Sequence, residues 1–581
     1  MTAAFFVVNS KTLMFTTKKT SLFTTPAKKA AKATVSVGKI KLPKSAFVKA
    51  AMKKTAETQS GNGAKKYSTT GSALVDQFGT VGTYRKPRAY FEIEKDCETA
   101  WAEDQLLAVK FIGYLRTVTR KVQLFNGQTT QEPQKGAELK HEAITRMIWL
   151  HIKSPETFWT NLPIFISLGS WHDVFSMLQY DLMYNGWEDR KLDWTKFGEF
   201  ILSGLENQNT VQLVKKYLPH IKARSDCKTV EAQANNIIAK WICNLLYGEK
   251  ESSYNYKQYR KLKTSGTAHE WQKLISQKKF NRIDFGKIHG RALNILVKGK
   301  FLKNQGLSEK YTAWVTKPTT EVKFTGFVNE LFEKLPKSLS DLDKNRQETI
   351  NKAFQTLVEK GRDSQQENQT RFIVARDISS SMTSTAEGLN MSSFDVAKAL
   401  ALYFSEFLTG EFADSYLCFA NETTMCSWKG KTPIEKWYND KTLSFGGTDF
   451  MGVARLFAKL KKQGISEEDF PTGTICISDG DFNQAYANNT NAEAFKQVLR
   501  TAGFSKQFVD NFVIVLWNIP NGYYGRSKAQ YEGMADQKAI YYFSGYSGSV
   551  ISFLLGKEVL TAAEIFEKAM EQEVLSLIEL R

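Results

Sequence analysis

Phe372-Ile373-Val374-Ala375-Arg376-Asp377-Ile378-Ser379-Ser380-Ser381-Met382 decides the fold of the C-terminal third of this 581-residue chain. An apolar run of strand length ends in Asp-x-Ser-x-Ser, so the polar motif falls in the loop at the carboxyl end of a strand, where open α/β sheets place their ligands. Alternation lets positions 377, 379 and 381 aim one carboxylate and two hydroxyls into a common space. Working outward, short apolar runs at Tyr416 to Phe419, Ile475 to Ile477, Phe512 to Trp517 and Ile540 to Phe543 alternate with helical patterns. That alternation predicts a parallel sheet covered on both faces. One covering helix carries Val396, Ala399, Leu400, Tyr403 and Phe407 on one face, another Phe450, Val453, Ala454, Phe457 and Leu460.

Two more loops supply oxygens of the same kind. Ser444-Phe445-Gly446-Gly447-Thr448-Asp449 offers the Thr448 hydroxyl at a helix start, and Ser478-Asp479-Gly480-Asp481 follows the run Thr474 to Ile477. The candidate metal ligands are therefore Asp377, Ser379, Ser381, Thr448 and Asp479. All are hard oxygens and no histidine follows His289, which favours a divalent ion of the magnesium type, with manganese or calcium as alternatives, over zinc or copper. Two carboxylates leave the ion incompletely neutralised, so an acidic side chain from a partner protein could fill an open position. No histidine, cysteine or lysine constellation beside these loops suggests an acid, a base or a nucleophile, and the expectation is a chain that is not an enzyme. The constellation resembles the metal-ion-dependent adhesion site of the von Willebrand factor A fold over about 190 residues. That resemblance implies a doubly wound α/β domain, placed at 371–560.

The segment 67–335 has a different texture. Ile144, Met147, Ile148 and His151 recur at three- and four-residue intervals, as do apolar positions around Leu106 to Leu115 and Ile237 to Leu246. Ser154-Pro155, Asn161-Leu162-Pro163 and Tyr184-Asn185-Gly186 punctuate the pattern. Antiparallel helical pairs stacked into a HEAT-like solenoid or ring are expected, so the fold class is multidomain: an α-helical repeat followed by the α/β domain. Residues 336–370 read as a connector, and the capping box Thr561-x-x-Glu564 starts a last helix over 561–581 that runs nearly to the end.

Charge is unevenly placed. Residues 1–66 hold fourteen lysines and one acid, and residues 256–303 hold thirteen Lys/Arg and two acids, so the remaining chain is mildly acidic although the total is +19. The first segment, with no periodic apolar spacing, reads as a flexible basic arm. Its Thr-rich, acid-free opening also permits an organelle-import reading, which the absence of arginine opposes. In the second, Lys257, Arg260, Lys261, Lys263, Lys278, Lys279, Arg282, Lys287 and Arg291 interleave with Tyr256, Tyr259, Trp271, Phe280 and Phe285. Cations can neutralise phosphates while aromatics stack bases, the combination of single-strand RNA binding; a solvated lysine face over an aromatic core is the alternative.

The order of helical pairs and then a metal domain resembles the Ro/TROVE family, together with Tyr67-Ser68-Thr69-Thr70-Gly71-Ser72, Ala100-Trp101-Ala102-Glu103-Asp104, Trp149-Leu150 and Gly169-Ser170-Trp171-His172-Asp173. The resemblance implies a ribonucleoprotein component that binds small structured or single-stranded RNA. The other expectation is a metal-dependent protein-interaction or assembly module, a virion component or an ATPase adaptor, without specific RNA binding. No run of eighteen apolar residues occurs and no Cys-x-x-Cys pair exists among six cysteines, which argues against a membrane span, a zinc ribbon or a disulfide framework and for the cytoplasm, a host's cytoplasm or a virion if the chain is viral. Neither a phosphate-binding Gly-x-x-x-x-Gly-Lys-Ser/Thr loop nor a dinucleotide fingerprint is present.

Overall fold

The computed structural model describes residues 57–60, 62–83, 87–248, 252–266, 269–288, 290–324, 326–362, 371–408, 412–485, 489–521, 531–546 and 559–581. Most of the segment read as a basic arm, 1–56, lies outside the described residues. Its described residues, 57–60 and 62–66, need a correction, because β1 (Glu57–Gln59) and β2 (Lys65–Tyr67) pair as antiparallel strands with Thr58 opposite Lys66. Lysine and threonine lack the apolar periodicity by which a strand is recognised, yet Lys66 is buried.

From Ala73 to Arg362 the described chain is helical. Gln105–Arg116 starts where the Asp104 carboxylate accepts the Leu107 amide at 2.8 Å. Lys140–Lys153 is followed at once by Pro155–Leu168, with Pro155 at the first helical position, where its missing N–H costs nothing. These helices and His172–Asn185 bury Ile144, Met147, Phe158, Leu162, Val174 and Leu178 in one apolar core. Each such side chain contributes about 1.5–3 kcal/mol when fully buried.

The sheet contains β3 (Phe372–Asp377), β4 (Ser415–Phe419), β5 (Thr423–Ser427), β6 (Gly473–Ser478), β7 (Val513–Asn518) and β8 (Ile540–Ser544) in the order β5-β4-β3-β6-β7-β8. All neighbours are parallel except β4 and β5. The five strands expected from apolar runs are all present. The sixth, β5, is an antiparallel edge whose sequence, Thr-Thr-Met-Cys-Ser, is too polar and too exposed to show as one. Period-two side-chain alternation splits the core: Phe372, Val374, Val513, Val515 and Trp517 join the core shared with the helical half, whereas Ile373, Ala375, Ile514 and Leu516 face helices Met451–Lys462 and Asn491–Thr501. Ser393–Ser405, buried along most of its length, lies between the sheet and the helical half, with Phe404 against Trp517 at 5.0 Å between ring centroids.

Two boundaries change. The connector 336–370 contains helix Lys344–Arg362, whose Ile350, Ala353, Phe354 and Val358 are core residues, so this part is integral packing and not a link. The last helix is shorter than its capping box suggested: Ala562–Met570 ends at Glu571, and the chain continues through a 3-10 turn at Leu575–Leu577. This tail lies on the helical half, where Glu579 N–H donates to Asn161 at 3.0 Å and Arg581 N–H to Thr157 at 3.1 Å. The start of the helical half meets the same place: in Ala73–Thr80, the Phe78 ring sits 5.9 Å from Phe543 of β8 and 5.4 Å from Phe566. Among the described residues no helix is long and apolar enough to cross a membrane.

Candidate metal centre and basic surface

β3 and β6 are the adjacent central strands from which the sheet is wound in both directions, and the crevice beyond their carboxyl ends is where such sheets bind ligands. Asp377 ends β3 and Asp479 follows β6. Asp377 is wholly buried: one carboxylate oxygen accepts the Ser379 amide at 2.7 Å and the other the Ser478 hydroxyl at 2.5 Å. Ser379 and Ser381 hydroxyls lie 3.1 Å apart, and Ser381 hydrogen-bonds Asp479. Asp479 also accepts from the Asn521 carboxamide at 2.8 Å. Four of the five expected ligands thus come together. Thr448 arrives through its loop: Phe445 N–H donates to Ile378 O at 2.8 Å, Ser380 N–H to Gly446 O at 3.1 Å, and Asn483 N–H to Thr448 O at 2.9 Å.

Electrostatics give the centre its character. Burial, and then the charge of Asp479, pushes the Asp377 carboxyl up to about 7. Burial raises Asp479 as well, against the opposing Ser381 hydrogen bond. Two carboxylates are therefore held together in a dry place where neither ionises easily. An ammonium that acts on Asp479, Lys66, pairs with buried Glu532 at 3.3 Å and donates to Gly480 O at 2.8 Å. A divalent cation fits this donor set, since it would supply the missing charge to hard oxygens. Among the described residues no group of three His, Cys, Asp or Glu gathers for a metal, so such an ion would draw on hydroxyls and water beyond its two carboxylates.

Asparagines escaped the sequence reading. Asn421 accepts the Gly447 amide at 2.8 Å, Asn521 holds Asp479, and Asn518, at the end of β7, is 4% exposed with its side-chain oxygen and nitrogen unpaired. Gly480 has φ +83°, and a Cβ there would stand 2.9 Å from the Asn518 oxygen, so that loop admits only glycine without rearrangement. The signal available was Asn immediately after, or at the end of, an apolar run: Phe419-Ala420-Asn421 and Trp517-Asn518.

In the helical half, Lys257, Arg260, Lys261, Lys278, Lys279, Arg282 and Lys287 are exposed. Lys287 has a loose partner, Glu270 at 3.7 Å. Two expected members are occupied: Lys263 donates to Lys216 O at 3.2 Å and to Leu218 O, and Arg291 forms a two-pronged pair with Glu330 at 2.8 and 2.6 Å. Two of the five interleaved aromatics are withdrawn from any stacking role, while Tyr256, Trp271 and Phe280 stay half-buried. Tyr259 and Phe285 are buried, Tyr259 OH donating to Pro219 O at 3.0 Å and Phe285 packing edge-on to Tyr311. Burial of large rings stabilises this region more than exposure would, and the cations ride on the surface that the rings support.

Residues 372–577 match a family model described as a domain of unknown function, DUF7788. That match begins at the first residue of β3 and includes the three loops that carry Asp377, Thr448 and Asp479, and the tail helix. No curated protein matches. Among solved structures, the crystal structure of the Deinococcus radiodurans RO (RSR) protein aligns with 82% of this chain and 92% of its own at 13% identity and a TM-score of 0.29, a superposition too poor to establish a common fold or function.

Proposed function

We propose that this chain is a non-catalytic RNA-binding protein of the Ro/TROVE kind, its helical half meeting the phosphate backbone and its α/β domain, of von Willebrand factor A type, carrying a divalent ion as a docking point. The observation that supports RNA most directly is the run of exposed cations from Lys257 to Lys287, where Glu270 and Asp284 are the only acids. With Tyr259 and Phe285 in the core, affinity comes mainly from charge, with only the half-buried Tyr256, Trp271 and Phe280 left to stack, so binding is tolerant of sequence and steep in salt. For single strands the slope is about −0.7 per phosphate neutralised, and seven cations give roughly −5. Filter binding of single-stranded RNA across a salt series tests this; no binding at about 50 mM salt refutes it.

The ion, magnesium first and manganese or calcium as alternatives, would be held by Asp377, Ser379, Ser381, Thr448 and Asp479, and supplies a Lewis-acidic point for an acidic group. A protein-assembly role draws support from the loop that carries Thr448, where Leu443 is 76% and Phe445 54% exposed. Large apolar side chains so exposed around one site suit a protein partner bringing a carboxylate. Binding of an acidic peptide that requires magnesium and persists at high salt would favour that role over RNA.

A further inference from the structure

The loop that carries Asp479 is gripped by a distant piece of chain. Ser60 Oγ donates to Phe482 O at 3.0 Å; Asn62 N–H donates to Asp481 Oδ1 at 2.9 Å and Asn62 Nδ2 to Asp481 O at 2.8 Å; Lys66 Nζ donates to Gly480 O at 2.8 Å and lies 4.4 Å from the Phe482 ring centroid. Gly63 also bridges to Asn483, the residue that fixes Thr448. Every residue from 480 to 483 is thus held by the hairpin 57–67. The hairpin is anchored beyond the loop as well. Tyr67 exchanges backbone hydrogen bonds with Tyr531 at 2.8 and 2.9 Å, and its hydroxyl donates to Glu493 at 3.0 Å. Thr70 then binds Asp76 in the first helix of the helical half.

The geometry points to the hairpin as a positioning element of the metal centre: we infer that Ser60 and Asn62 fix the 480–483 backbone so that Asp479 and Thr448 are held ready for the cation. This rests on the metal reading proposed above. Within the loop, Gly480 N–H donates to the Ser478 hydroxyl at 3.0 Å and Asn521 holds Asp479; the strap adds a hold on each residue from 480 to 483 and so contributes preorganisation from outside. Outer groups that orient ligands are commonly worth about tenfold or more in metal affinity.

The test uses the full chain and neutral substitutions, which leave the local charge unchanged. The double variant Ser60→Ala/Asn62→Ala should need about tenfold more Mg2+ for half of the metal-induced shift in melting temperature, with metal-free melting close to that of the natural chain. Asn62→Ala alone should show the same direction with a smaller change, and Ser60→Thr, which keeps the hydroxyl, should behave as the natural chain. With Mn2+ as probe, the double variant should broaden the electron paramagnetic resonance lines of the bound ion, which a purely structural contact would not do. If both Ala variants bind Mg2+ like the natural chain while Asp377→Ala loses the response, the strap has no positioning role and the metal reading stands. If the natural chain responds to none of Mg2+, Mn2+ or Ca2+, the metal reading falls and takes this inference with it.

Discussion

Asp377 and Asp479 are 0% and 7% exposed, whereas Lys278, Lys279 and Arg282 stand in solvent with no carboxylate paired to them among the described residues. The sheet domain buries polar groups and leaves them short of one charge; the helical half displays charges and leaves them short of many. A buried deficit is local, and the proposed divalent ion would answer it in a set geometry. An exposed excess is diffuse and calls for a polymer of the opposite sign. The two halves share one apolar core, so the contrast lies in surface and loops, not in packing.

The largest expected effects concern that shared core. In the helical half, Glu142 is buried between Arg88 at 2.5 Å and Arg146 at 3.0 Å; in the sheet domain, Asp440 is buried between Arg376 at 2.7 Å and Lys398 at 3.4 Å. Asp440→Ala leaves buried Arg376 and Lys398 without a carboxylate, and Glu142→Ala leaves buried Arg88 and Arg146 to share the half-buried Asp96; each should cost about 3–5 kcal/mol by denaturant unfolding, Asp440→Ala the more. Both should move one common transition. Two separable transitions, each moved by one variant, would break the unity of the core.

Metal should come next. At a hundredfold excess over its dissociation constant, Mg2+ should stabilise the natural chain by about 2.7 kcal/mol, and Asp377→Ala should abolish the whole effect in a thermal-shift titration. An unchanged response in that variant removes Asp377 from the centre. A gentler effect belongs to the basic surface: Lys278→Glu/Lys279→Glu/Arg282→Glu should flatten the salt slope of RNA binding by about 2, about 0.7 for each lost cation, without lowering the melting temperature. A drop in melting temperature with the slope unchanged would make those residues structural.

Smallest is the response to acid. Burial lowers the pKa of His141, His151, His172 and His220 below the ordinary 6.5. Below 6.5 the unfolded chain takes up protons that the folded chain resists, so this contribution to stability is present above that pH and is lost as pH falls through the folded values. No histidine follows His289, so the loss should appear as faster amide exchange in the helical half before the sheet domain. Equal acid sensitivity in both halves would contradict it.

Legibility followed the same division. β3, β4, β6, β7 and β8 could be read because strands buried on both faces must be apolar runs, and the nearness of Asp377, Ser379, Ser381 and Asp479 because all four sit within a few residues of the ends of β3 and β6. β5 escaped because an edge strand needs no apolar face, and the hairpin 57–67 because its partners lie more than four hundred residues away. Composition alone could not assign Tyr259 and Phe285: the same rings serve a stacking surface or a core, and only packing decides which.

That distance has a consequence in time. The hairpin cannot dock until residues 480–483 have been synthesised, and Tyr67 must wait for Tyr531. At about 5–20 residues per second, the nascent chain exists for roughly twenty seconds to a minute and a half with Lys66, buried in the finished protein, still in water. The loop that carries Asp479 therefore completes its surroundings late, when an early part of the chain closes over one made several hundred residues afterwards.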